Sequence, residues 1–82
     1  MPYIRKEKRE KLDWLVRVMG NYLNIDGDLN YILFAYARRY IPPGYQNYRN
    51  FLGELNEAAE EIRRRMLVEY EDEKIIENGD VE

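Results

Sequence analysis

A long run of regularly spaced apolar side chains in the second half of the chain is the strongest indication of its fold. Between residues 48 and 66 the spacing is 4-3-4-3-4, which places every member on one side of an α-helix. The members are Tyr48, Leu52, Leu55, Ala59, Ile62 and Met66. This pattern predicts a helix from about Asn47 to Tyr70, roughly 36 Å long at 1.5 Å per residue.

Two shorter apolar stripes precede this helix and predict two more helices. Apolar side chains recur at steps of three and four over residues 12–23 and again over residues 29–40. The polar segment 24–28 should separate these helices, with Asp26 or Asp28 as the N-cap of the second. Pro42-Pro43-Gly44 cannot continue a helix, so a loop should follow.

The predicted fold class is therefore all-α, a small three-helix bundle with a long C-terminal helix and an acidic tail. We treat residues 1–82 as a single helical domain, because the chain is long enough for one modest core only. The predicted core is Leu15, Met19, Leu29, Leu33, Leu52, Leu55, Ile62 and Met66. The third helix exceeds its two partners in length, so part of it should project or pack against another chain.

Both ends of the chain are highly charged. Residues 1–10 form a charged N-terminal arm or the first turn of a helix, and residues 71–82 form an acidic tail that is either disordered or a helical hook docked on the core. Residues 1–49 hold nine Lys/Arg and five Asp/Glu, whereas residues 50–82 hold four and eleven. The two halves should therefore attract each other electrostatically.

Short motifs spread over nearly the whole chain give a resemblance to a known family. They are Met1-Pro2-Tyr3-Ile4, Gly27-Asp28-Leu29-Asn30-Tyr31, Tyr70-Glu71-Asp72-Glu73-Lys74-Ile75 and Asn78-Gly79-Asp80-Val81. In order and spacing they resemble a family of short uncharacterised proteins of unknown function from phages, bacteria and archaea. The resemblance implies no catalytic or binding residues.

The absence of cysteine and histidine excludes most catalytic chemistry. Disulfides, thiolate nucleophiles, imidazole bases and the usual zinc ligands cannot occur. We therefore expect no catalytic residues and no cofactor. The one enzymatic alternative is a Mg²⁺-dependent nucleotide pyrophosphohydrolase-like site, since carboxylates at i and i+3 share a helix face and can hold the metal. Its ligands would be Glu57, Glu60, Glu77 and Asp80.

Nucleic-acid binding is a second alternative, because cations and aromatic rings occur together in two places. Cations contact phosphates, and rings stack on bases. The first group is Tyr3, Arg5, Lys6, Lys8, Arg9 and Lys11, and the second is Arg38, Arg39, Tyr40, Tyr45, Tyr48 and Arg49. The acidic pI near 5.0 and the interspersed carboxylates of Glu7, Glu10 and Asp13 disfavour this function.

Aromatic side chains favour a protein-protein interaction instead. The chain has eight tyrosines, and one helical stripe cannot bury Tyr31, Tyr36 and Tyr40 together, so some must face outward. We predict a non-enzymatic interaction module, a homodimer through the third helix or a binder of another protein. Its predicted surface comprises Trp14, Tyr36, Tyr40, Tyr45 and Tyr48.

The expected location is the cytoplasm. The first eight residues are charged where a secretory signal would need an apolar run. No stretch approaches the roughly 18 apolar residues that a membrane helix requires, so we expect no membrane partner.

Overall fold

The structure, a computed structural model, describes residues 4–81 and confirms the all-α fold class. Three helices follow one another, and the part of the chain that is described contains no strand. The described residues divide into two units, 4–44 and 45–81. We describe each unit by itself.

The first unit consists of two helices at nearly the predicted positions. Helix α1 spans Lys6–Tyr22 and helix α2 spans Asp28–Tyr40. The Arg5 carbonyl accepts the first helical hydrogen bonds of α1, so the charged residues 6–10 are a helical turn and not an arm. Residues 1–3 of the predicted arm lie outside the described part of the chain.

The turn between α1 and α2 depends on Gly27. This residue has a φ of 96°, which an L-residue with a side chain rarely adopts, and it occupies the N-cap position of α2. The predicted aspartate N-cap is therefore wrong. Asp28 is instead the first helical residue, and its carboxylate accepts a hydrogen bond of 2.8 Å from the Asn24 backbone N–H. This hydrogen bond closes the turn between α1 and α2.

The second unit is one continuous helix, longer than predicted. Helix α3 spans Tyr45–Ile62, a π-helical segment spans Arg63–Leu67, and helix α4 spans Val68–Asn78. We call residues 45–78 the long helix; its length is about 50 Å at 1.5 Å per residue. Residues 71–78 of the acidic tail, for which the sequence left disorder and a docked hook open, continue this helix. Gly79, with a φ of 82°, ends it.

The π-helical segment changes which residues follow Ile62 on the apolar side of the long helix. The Val68 backbone N–H donates to the Arg63 carbonyl, five residues earlier, so this turn holds one residue more than an α-helical turn. Each α-helical residue rotates the chain by about 100°. Beyond the segment, Leu67, Tyr70 and Lys74 therefore continue the line of Ile62, in place of Met66, Glu69 and Glu73.

The predicted core does not form within the described residues, where no side chain is buried. Leu52, Ile62 and Met66 are 54%, 57% and 66% exposed, and of the eight predicted core residues only Leu33 and Leu55 are half-buried. The physical reason is local. Within the second unit the long helix is the main described element, and within the first unit α1 and α2 scarcely touch along their lengths.

Gly53 gives a prediction about the stability of the long helix. It lies in the middle of α3, and a Cβ built there meets no atom within 4 Å. Gly53→Ala should therefore raise the free energy of unfolding by about 0.5 to 1 kcal/mol, because alanine loses less backbone entropy than glycine. Urea unfolding followed by circular dichroism measures this. An equal or lower unfolding midpoint would show that another group needs the space at Gly53.

Candidate interaction surface

The apolar side of the long helix carries a row of partly exposed apolar side chains. We call it the seam. It consists of Tyr48, Leu52, Leu55, Ala59, Ile62, Leu67 and Tyr70. With the flanking Met66 and Ile75, eight large side chains lie along it, mostly about half exposed. At roughly 100 Å² each they offer on the order of 800 Å² per chain, which is what one partner contributes to a specific interface.

Helix α2 carries exposed aromatic rings around most of its circumference. The rings of Tyr36 and Tyr40 contact each other with centroids 5.4 Å apart, and the tyrosines are 51% and 70% exposed. Phe34 is 60% exposed, and the Arg38 guanidinium lies 5.8 Å from its centroid. A helix that is apolar on all sides is normally enclosed by neighbours. Phe34 was not among the predicted surface residues, although the presence of polar residues at only four positions of α2 indicates that further rings must face outward.

The other predicted surface residues are also exposed. Trp14 lies on α1 and is 58% exposed, and Tyr45 and Tyr48 lie in the first turns of α3. The Tyr45 hydroxyl accepts a hydrogen bond of 3.4 Å from Arg49, whose guanidinium lies 5.6 Å from the ring centroid. Within α2, Tyr36 and Tyr40 of the predicted set are in contact with each other.

A cluster of charge lies beside the middle of the seam. Glu61 forms ion pairs with Arg64 at 3.0 Å and Arg65 at 3.4 Å. The hydrogen bond from Arg64 lowers the pKa of the Glu61 carboxyl below its usual value, with smaller help from the charges of Arg64 and Arg65. Arg64 reaches back three residues to Glu61, and Arg65 reaches back four. The cluster keeps these cations next to a carboxylate of their own helix.

The four carboxylates of the magnesium alternative do not meet in one chain. Glu60 lies in α3 and Glu77 near the end of α4, about 25 Å apart along one helix at 1.5 Å per residue. Over residues 4–81 no three carboxylates, or other groups of the kind that hold metals, come close enough to share an ion. The spacing that suggested a site in the sequence therefore separates its members in space.

The basic side chains near the N-terminus lie on α1 and just before it. Arg5, Lys8 and Lys11 line a shallow surface hollow together with the carboxylate of Glu7. Arg9 donates a hydrogen bond of 2.8 Å to the Ile4 carbonyl, so its guanidinium is engaged with its own backbone. Tyr3, the aromatic member of this group, lies outside the described residues. No helix among those described is both long and apolar enough to cross a membrane.

These features define a class: a small all-α protein whose helices expose their apolar sides. The chain belongs to the family described as Domain of unknown function (DUF6899), whose model matches residues 1–81. The family that the sequence motifs indicated is likewise one of unknown function. No curated protein and no solved structure matches the chain.

Proposed function

We propose that this protein is a non-enzymatic, self-associating helical module of the cytoplasm, and that the seam of the long helix is its dimer interface. One observation supports the proposal above all others. Apolar side chains are ordered along the seam at helical spacing, yet none of the described residues is buried. A stripe of this kind is stable in water only when another surface covers it.

The energetics of the second unit support a partner. Isolated helices are only marginally stable in water, because most helical stability in proteins comes from packing of the apolar face. Removing about 800 Å² of seam from water contributes a gross stabilisation of about 20 kcal/mol per chain at roughly 25 cal/mol per Å². Much of this offsets the entropy lost on association and ordering. Without such a contact the long helix lacks its main source of stability.

A second copy of the chain is the simplest occupant of the seam. Most soluble oligomers are symmetric homo-oligomers, and a two-fold interface uses the same surface on both subunits. The seam is linear and apolar throughout, so it can cover itself without any other partner.

Concentration-dependent unfolding tests this function. If folding and dimerisation are coupled, raising the chain concentration 100-fold should stabilise the folded dimer by about 2.7 kcal/mol and raise the urea midpoint measured by circular dichroism. A cooperative transition whose midpoint is the same at both concentrations would contradict the proposal. Gly53→Ala is a suitable control, because it should raise the midpoint equally at both concentrations.

A further inference from the structure

We infer that the long helices of two copies pair antiparallel, with Leu55 of one copy opposite Leu67 of the other. This inference rests on the proposed self-association and adds its direction and register. Three observations support it: the charge along the helix, the apolar layers that the antiparallel direction creates, and the position of the π-helical segment.

The two ends of the long helix differ in charge. Over residues 45–53 the single charged side chain is Arg49. Over residues 69–78 five carboxylates accompany Lys74: Glu69, Glu71, Asp72, Glu73 and Glu77. A parallel pair would place two acidic ends side by side, which is destabilising because like charges repel. An antiparallel pair places each acidic end beside an end that carries Arg49.

The residues that lead into the long helix strengthen this argument. Arg38 and Arg39 end α2, and only Ile41 to Gly44 separate that helix from α3. Three arginines therefore occur in residues 38–53, and no carboxylate does. The charges of Arg64 and Arg65 in the middle of the long helix favour neither the parallel nor the antiparallel direction, since both already pair with Glu61 of the same chain. Charge complementarity thus favours the antiparallel direction.

The seam forms continuous apolar layers in this direction. When the pair is centred near residue 61, Leu52 lies opposite Tyr70, Leu55 opposite Leu67, and Ala59 opposite Ile62. Residue 61 is close to the midpoint of the helix, so almost all of residues 45–78 overlap. The full length of the seam is then covered by its own copy.

The π-helical segment makes these layers apolar. Without its additional residue, Glu69 and Glu73 would lie on the seam and would face Leu52 and Tyr48 of the second copy. With it, Tyr70 and Lys74 occupy those places, and Lys74 can lay its alkyl chain along Tyr48. The ammonium group of Lys74 already lies 5.5 Å from the Tyr70 ring centroid.

Disulfide trapping tests the direction, because the natural chain contains no cysteine. We expect a mixture of Leu55→Cys and Leu67→Cys chains to form at least tenfold more mixed disulfide under mild oxidation than either variant forms alone. In an antiparallel pair the two copies of residue 55 are about 18 Å apart along the axis. A disulfide needs Cα atoms within about 7 Å. Ile76→Cys, on the opposite side of α4, is the matched control for chance collisions.

The other possible results of disulfide trapping would contradict the antiparallel pair. Efficient crosslinking of Leu55→Cys with itself would establish a parallel pair and overturn the inference while leaving self-association intact. A dimer that forms no mixed disulfide would also overturn it. A chain that stays at 10.0 kDa would overturn the proposed function as well.

A second measurement uses a labelled position outside the seam, so that the proposed interface keeps its natural residues. Spin labels on Gln46→Cys should be about 45 Å apart in an antiparallel dimer, since residue 46 lies far from the centre of the pair. In a parallel dimer the same labels would lie side by side. Circular dichroism of each variant confirms that its helical content is kept.

Discussion

Ile62→Asp is expected to raise the dissociation constant of the dimer at least about 1,000-fold and to reduce the helical content of the chain. Ile62 lies near the centre of the seam, so two aspartates would be enclosed in adjacent layers of the symmetric pair. An unpaired buried charge costs about 3 to 5 kcal/mol, and each 1.4 kcal/mol is tenfold in the constant. Sedimentation equilibrium measures the change.

Ile76→Asp is the matched control for this substitution. Ile76 lies on the same long helix, is 84% exposed, and points away from the seam. The same exchange of isoleucine for aspartate should change stability by no more than about 0.5 kcal/mol there. Equal effects at the two positions would mean that the seam is not the interface.

Two single-residue deletions in the long helix, of Ala58 and of Met66, should have opposite effects on dimerisation. Deleting Ala58 turns everything after it by about 100° relative to the first half of the seam, so the apolar stripe is broken and dimerisation should be lost. Deleting Met66 should convert the π-helical turn into an α-helical one while Leu67 and Tyr70 keep their places. That chain should remain a dimer.

Light scattering measures whether each deletion variant is a dimer, and circular dichroism measures its unfolding midpoint. Since π-helical geometry is rare, loss of Met66 should leave the unfolding midpoint unchanged or raise it. A Met66 deletion that dissociates as completely as the Ala58 deletion would show that Met66 or the wide turn itself is needed at the interface.

Helix positions could be predicted because local rules decide them. Apolar spacing located α1, α2 and α3, and Pro42-Pro43-Gly44 fixed the break after α2. The N-cap was mispredicted, because the turn required a positive φ that only Gly27 supplies readily, which left Asp28 to accept a hydrogen bond from Asn24.

The end of the long helix was harder to predict from apolar spacing. Its last turns are almost entirely charged, so no apolar stripe marks them. They are nevertheless helical, because no helix breaker occurs before Gly79 and because Lys74 pairs with Glu77 at 3.3 Å. The π-helical segment left no distinct signal either, since Met66 and Leu67 are both apolar and either one fits the stripe.

The candidate site shows where sequence patterns stop being informative. A stripe identifies which side of a helix is apolar, but not what covers it. The stripe therefore led to a prediction of burial for Leu52, Ile62 and Met66, which are exposed in the structure. Glu60 and Glu77 of the magnesium alternative are separated for a different reason, because one continuous helix connects them and places them about 25 Å apart along its axis.

The mass of the protein in solution is the most direct test of the account. Sedimentation equilibrium over a wide range of micromolar concentrations should give twice the chain mass of 10.0 kDa, with helical content retained. A mass of 10.0 kDa at every concentration, in a chain that is still folded, would contradict the claim that a second copy covers the seam.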